Sequence, residues 1–501
     1  MLVKPFTGIK YIDMETNFRM RKYSLLIAVA FMGLSACNDF EELNQDPTRM
    51  TDINAASLLT QVIYDAGTRS RSYGDIGNYI GQYWTNTSLI DQRHRYDFRG
   101  SDSEEVYNDI YGTLYDVSDL KARARKEGLD DYLGAALVIE AYLTTYLTDV
   151  FGPVPYSEAL QGDNLNFTPK FDNQEEIYRK NLEKLDEAYE LLETKPGGNF
   201  IRGGDAFYFN DNLKWRKLAN SLKLRMYMKM LKVDPSVETE IASLINSGEL
   251  ISSNKENSAI IYDGRFGLQS TKASGTAGSV ALGKTFANKL HETLDPRRPQ
   301  LARLGVDIDG NPVNIDEEEN PIYLGVPSGE SPDIIREFNG LAAPFTGLNG
   351  VRAPSVLFSY AEVEFYIAEA ILLGLVAGDA SEHYLTGIRA SSEWWGVEKA
   401  AIDAHLAKES VTLSSDTDEA LRQVWKEEYI NFYYQGFDGW NNYKRVGYPE
   451  FTVGSAMLTD EIMKRMVYPP LLKSVNGDNY NKAVQLLDKG DNLLSGSWWF
   501  K

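Results

Sequence analysis

The sequence predicts a mainly α-helical protein whose helices pair into hairpins around a loop-rich, irregular middle. Three observations carry this. Apolar residues recur at helical spacing in long runs on both sides of the chain's centre. Small residues recur within those runs at places where paired helices would touch. Between about residues 251 and 354 the period is lost and Gly, Pro, Asn and Asp become frequent.

The first predicted helix covers Asp52 to Gly67, with Ala56, Leu59, Ile63 and Ala66 on one face. A second covers Gly134 to Val150 and is stopped by Phe151-Gly152-Pro153, because proline lacks the donor and the room to continue a helix. A third runs from Asn173 to Glu193 with Ile177, Leu182, Leu185, Ala188 and Leu192 aligned. Asn212 to Leu231 and Ser236 to Gly248 follow. The middle reads as loops, short strands such as Ser258 to Ile261, and one helix near Gly283 to His291. Helices resume over Ser359 to Gly374, Ala380 to Trp395 and Asp418 to Tyr434. Trp215, Leu218, Ala219 and Leu222 fit the first-helix spacing of a tetratricopeptide repeat. Ile367, Ala368 and Ile371 fit it again, with Ala380, Tyr384 and Gly387 at second-helix positions. Ordinary helical hairpins can produce the same spacing, so the matches imply hairpins before they imply a repeat.

Met20 to Cys37 has the layout of a signal peptide: Arg21-Lys22, an apolar run from Leu25 to Leu34, then Leu34-Ser35-Ala36-Cys37. The run is too short to span a bilayer. Its end resembles the box cleaved by lipoprotein signal peptidase, which makes Cys37 the expected lipidation site and residues 1–36 the part removed. Residues 1–19 read as an upstream extension of the start site, and residues 37–50 as a lipidated N-terminus and linker. A single domain is expected over 51–501. Cys37 is the chain's one cysteine, so no disulfide framework exists. Two or three acyl chains anchor stably where one does not. The acidic stretch Asn38 to Glu42 resembles an export signal for display at the cell surface.

The chain carries a net charge of −21. Residues 1–36 hold five basic and two acidic side chains, a net +3, so the remainder carries −24. That balance argues against nucleic acid and against spreading on anionic lipid, since both require clustered Lys and Arg. The 30 Tyr and 8 Trp could stack on sugars or peptides, or simply fill the core.

No catalytic motif stands out. His94, His291, His383 and His405 are not in metal-ligand spacing, and neither a nucleophile elbow nor a phosphate loop is found. No cofactor and no metal are expected. Asp307, Asp309, Asn311 and Glu318 echo a calcium loop, but Gly310 is in the fourth place where the loop needs it sixth; an Asp-Gly-Asn turn is the simpler reading.

Ala141 to Ala159 (AYLTTYLTDVFGPVPYSEA) resembles the hallmark of the SusD/RagB family of nutrient-binding outer-membrane lipoproteins. So do Asp295-Pro296-Arg297, Ser359 to Val363 with Ala368-Glu369-Ala370, and Glu427-Glu428-Tyr429 with Gly436 to Trp440. Arg465 to Pro469 and Asn476 to Ala483 match the family's usual ending, and the likeness is to its divergent branch. The resemblance implies a tetratricopeptide-like helical scaffold with a loop-rich ligand face. It also implies a lipoprotein lid on a SusC-like TonB-dependent transporter, with an oligosaccharide or peptide as ligand and no catalysis. The hallmark's own residues read as structural: Gly152 permits the turn and Pro153 and Pro155 stiffen it.

The resemblance places binding aromatics in an early loop and again in the middle loops. Trp84, Asn86, Arg93 and Tyr96 are therefore the first ligand candidates, and Tyr262, Arg265, Phe266 and Phe345 the second. Trp394-Trp395 and Trp498-Trp499 are expected to pack. The competing readings are a surface lipoprotein hydrolase and a helical-repeat scaffold for another protein.

Overall fold

A computed structural model describes residues 53–72, 74–87, 92–193, 203–261, 280–344 and 354–500. Cys37, Tyr262, Arg265, Phe266 and Phe345 lie outside the described residues. Helices α1 (Ala55–Ser72) and α2 (Gly74–Ile80) open the fold, followed by strand β1 (Trp84–Asn86). Next come α3 (Gly100–Glu127), α4 (Asp130–Phe151), β2 (Val154–Pro155), β3 (Phe171–Asp172) and α5 (Gln174–Leu191). Helices α6 (Asn212–Met230) and α7 (Glu238–Ser247) lead into the irregular middle.

The long α3 was not anticipated. Its charged residues dilute the apolar signal, yet Val106, Ile110, Leu114, Val117, Leu120 and Ala124 form one buried stripe. Its neighbour α4 is buried almost all round; only Glu140 among residues 131–151 escapes full burial, held by Lys121 and Lys184 at 2.5 and 2.8 Å. Helix α4 packs against α3 on one side and α5 on the other, so it is the fold's central rod. Asn173 caps α5 by accepting from the Glu176 amide, and Asp211 caps α6 through the Leu213 and Lys214 amides.

The middle carries β4 (Ser258–Ile260), β5 (Val280–Leu282), α8 (Lys284–His291), α9 (Arg298–Leu301), β6 (Ala302–Arg303), α10 (Pro332–Ile335) and β7 (Ala343–Pro344). Strand β8 (Ser355–Phe358) then returns to the helices. Four two-stranded antiparallel ladders pair distant segments: β1 with β5, β2 with β3, β4 with β8 and β6 with β7. Two consecutive turns project from this region. In each an aspartate accepts backbone amides: Asp307 from Asp309 and Asn311, Asp316 from Glu318 and Asn320. The Asp307 carboxylate is thus occupied by its own turn, as the simpler reading expects.

The second helical half contains α11 (Tyr360–Leu372), α12 (Ala380–Trp394), α13 (Lys399–Leu406) and α14 (Thr417–Asn431). It ends with α15 (Asp438–Val446), α16 (Pro470–Val475) and α17 (Gly477–Gln485). Helices α11 and α12 form the hairpin that the small-residue spacing predicts. A Cβ at Gly387 would lie 2.4 Å from the Phe365 ring, so only glycine permits this approach.

Segments far apart in sequence meet through buried charges. Arg297, with no exposed side-chain surface, holds Asp295 at 2.6 Å, Glu427 at 2.5 Å and Ser391 at 3.0 Å. Arg225 grips Glu362 with two bonds of 2.6 Å and donates to the Leu357 carbonyl at 2.9 Å. Arg445 bridges Glu369 at 2.7 Å and Glu428 at 2.9 Å. Asp149 accepts from Lys229 and Tyr178, each at 2.6 Å, and from the Trp499 indole at 3.0 Å. Arg465 donates to the Phe151 carbonyl at 3.0 Å, and Tyr468 to that of Pro153 at 2.5 Å. The chain's ending thereby clamps the Gly152 turn, whose φ is +80°.

Replacing one partner of such a pair leaves the others buried and unpaired. Arg297→Leu is expected to cost about 3–5 kcal/mol, measured by chemical denaturation, with Arg297→Lys recovering part of the loss. A change below about 1 kcal/mol would mean that the clamp holds no more than a surface pair.

Candidate ligand-binding site

The early-loop candidates turn inward. Trp84 is 3% exposed and donates its indole N–H to the Tyr433 hydroxyl at 3.0 Å. Asn86 is 4% exposed and donates to the Tyr79 hydroxyl at 3.0 Å; Tyr96 is 2% exposed. These three are core residues in this structure. The reason is the β1–β5 pairing, which pulls Trp84 against Tyr79 and Tyr434. Arg93 stays half-buried, its guanidinium 5.4 Å from the Tyr79 ring centre. The four do not assemble an open site.

An open cleft of about 420 Å³ lies elsewhere, where α1, the turn before α6, the start of β4 and the end of α12 converge. Its wall on α1 is Thr60, Gln61 and Tyr64. A Cβ at Gly67 would sit 2.4 Å from Ile260, so α1 lies hard against β4 and Ile260 forms the floor. The second wall is built by one buried carboxylate. Asp205 accepts the amides of Phe207, Tyr208 and Asn210 at 2.9–3.1 Å and the Trp215 indole at 3.0 Å. That turn puts Phe209 at φ +52° and 63% exposed, facing the cleft. A bulky residue in the left-handed region is uncommon and needs surrounding structure to hold it there.

The third wall is the short turn Asn254–Glu256. Asn254 donates to the Ala390 carbonyl at 2.9 Å, and Asn257 ties it to the start of α11 by accepting the Tyr360 amide at 2.7 Å. Lys255 lies between these anchored residues, exposed, on the cleft lining. Trp394 closes the end of the cleft; its indole N–H has no acceptor among the described residues. The arrangement offers aromatic faces beside a few polar groups, as ligand sites do. It holds no group suited to a metal, and no cluster of three metal-binding side chains occurs among the described residues.

The sequence alone does not point to this cleft: Trp394 reads there as a packing residue, and Tyr64 and Phe209 carry no distinguishing pattern of their own. The aromatic run Phe207-Tyr208-Phe209 was a visible signal, but its neighbours in space come from three other segments.

Two other cavities are weaker candidates. A groove of about 380 Å³ contains Lys289, Glu292, Glu330 and Glu450, but these are engaged by protein partners: Lys289 with Glu292, Glu330 with Ser455, Glu450 with Arg422. An interior void of about 20 Å³ lies among Tyr146, Asp149, Arg225, Lys229 and Asp438, enough for about one water. Asp438 is buried there, its Oδ2 lacking a hydrogen-bond partner among the described residues, and Arg225 stands 3.9 Å away. Burial pushes its pKa up to about 6 against the pull of Arg225 and Lys229.

The helical-hairpin scaffold is of the tetratricopeptide-like class. More particularly, the SusD-like family model, described as starch-binding and associating with the outer membrane, matches residues 47–469, and the chain belongs to that family. A SusD homologue from Bacteroides fragilis superposes with a TM-score of 0.76 at 22% identity, covering 90% of this chain and 100% of that one. A chitin-binding protein gives a TM-score of 0.76 at 24% identity, covering 89% of this chain and 100% of its own. A SusD-like protein from Bacteroides thetaiotaomicron gives 0.73 at 20%, covering 89% and 99%. Comparison with curated proteins yields no match. The family is one of binding proteins associated with the outer membrane. No described helix is long and apolar enough to cross a membrane.

The raised pKa of Asp438 has a signed consequence. The native state keeps this proton to higher pH than the unfolded chain, so the group's contribution to stability is full below about pH 4 and is lost as pH rises through about 6. In Asp438→Asn that loss is absent. The stability difference between variant and wild type should move in the variant's favour by up to about 3 kcal/mol between pH 4 and 6.5. A flat difference in denaturation experiments would show Asp438 to be ionised throughout.

Proposed function

We propose that this protein captures an oligosaccharide at the outer membrane and passes it to a SusC-like TonB-dependent transporter. The observation that carries the reading is the cleft between Tyr64, Phe209 and Trp394, in a chain of a starch-binding, outer-membrane-associated family. Sugar rings present C–H-rich faces that stack on aromatic side chains, while their hydroxyls need polar partners close by. Phe209 and Tyr64 supply faces, and Gln61, Asn254 and Lys255 supply polar groups at the same opening. The chitin-binding relative of similar fold supports a saccharide over a peptide. The anchor in this reading is the acylated Cys37, and the linker behind it gives the domain reach above the membrane at the cell surface.

Phe209→Ala and Tyr64→Ala should each lower oligosaccharide affinity about tenfold or more while changing stability little, since stacking carries about 1–2 kcal/mol. Glycan binding unchanged in both would place the site elsewhere. Cys37→Ser should abolish incorporation of labelled palmitate and move the protein out of the membrane fraction. Affinity purification from detergent-solubilised outer membranes should bring a TonB-dependent barrel in near-equal amount; its absence, with a control complex intact, would remove the transport reading.

A further inference from the structure

In a chain with 72 acidic residues against 51 basic ones, the cleft has no carboxylate among its described lining residues, and its one charged group is Lys255. Two neighbouring acids have partners of their own. Glu256 is held by Lys217 at 2.7 Å and by the Ser252 amide at 2.7 Å, and Asp65 accepts from Gln61 at 2.8 Å. Lys255 has no ion-pair or hydrogen-bond partner among the described residues. The Trp394 indole N–H is buried and does not open onto the cleft. The Lys255 ammonium can only donate.

A neutral glycan offers hydroxyl protons as well as lone pairs, and carboxylates are the strong acceptors for such protons. The described lining of this cleft has none and presents an ammonium instead. We infer that it selects an anionic oligosaccharide, one whose carboxylate or sulfate is met by Lys255 while a sugar face stacks on Tyr64 or Phe209. The inference rests on the capture reading above and narrows it to a ligand class. The position of Lys255 favours it further. The turn that carries it is pinned on both sides, by Asn254 to α12 and by Glu256 to Lys217, so its backbone is presented with little freedom to lose on binding. The field of the whole chain is negative and disfavours approach of anions. A local carboxylate-free patch is therefore what an anionic ligand would need in order to be held here at all.

The test is calorimetry of the full chain in detergent against two matched panels. One holds oligogalacturonate, alginate and chondroitin sulfate fragments; the other holds maltoheptaose, chitohexaose, xylohexaose and methyl-esterified oligogalacturonide. An anionic member should bind at least about tenfold more tightly than any neutral one. Lys255→Met should lose about tenfold of that affinity, and Lys255→Arg should keep most of it. Neutral members binding as tightly, with sensitivity to Phe209→Ala but not to Lys255→Met, would overturn the anionic class and leave glycan capture standing. Anionic binding indifferent to Lys255→Met would also overturn the assignment. Failure of both panels together with binding of a peptide would overturn the anionic inference and the saccharide reading together.

Discussion

Removing a guanidinium from water is tolerated only where carboxylates meet it in good geometry, and this fold depends on doing so repeatedly. Arg225, Arg297 and Arg445 each reach across more than sixty residues of sequence to a carboxylate. Arg225 fastens α6 to α11, Arg297 fastens the centre of the loop-rich middle to α14, and Arg445 fastens α15 to α11 and α14. Hydrophobic burial alone would allow helices to slide or exchange neighbours, whereas a bidentate pair has one register. The middle region has only two-residue and three-residue strands, and it is tied to the helical body by the Arg297 clamp together with the apolar cluster that Leu282, Phe286, Leu290 and Leu301 share with Tyr429, Ile430 and Tyr433.

The same logic explains the recognisable motifs. The Thr-Asp-x-Phe-Gly element is not a ligand site. Thr148 donates to the Gly152 carbonyl at 2.6 Å, and Asp149 collects Lys229, Tyr178 and Trp499 from three other segments. Ser157 and the Tyr156 amide close on Asp172 across the β2–β3 ladder. Each motif is a place where one short stretch satisfies several distant groups, which restricts its residues without any ligand. The cleft is different in kind: Phe209 is exposed and held in an unfavourable backbone conformation, and the ammonium of Lys255 stands on the lining.

Much of the helical scaffold was legible in the sequence. The helices around residues 134–150, 173–193, 212–231 and 359–374 were found to within a few residues, because their apolar spacing is dense and their ends are marked by Asn173, Asp211, Gly152 and Ser359. Helix α3 was missed because its buried stripe is interleaved with Asp, Glu, Lys and Arg. The burial of the early-loop candidates has a related reason. A Trp and a Tyr in a stretch without helical period look available for stacking, but β1 has no exposed face, and its three residues are all buried where it pairs with β5.

The sequence by itself determined the membership of the chain in its family, the mainly helical architecture and the hairpin contact at Gly387, because periodicity and small-residue spacing are local properties. Only the tertiary structure assembles the candidate cleft. The cleft exists because α1, the Asp205 turn, the Asn254 turn and Trp394 are brought together, and these segments are separated by up to several hundred residues. Its charge character follows from which acids face inward to Lys217 and Ser252 and which do not. Composition sums over the whole surface and says −21; a binding site responds to the few groups within hydrogen-bond reach.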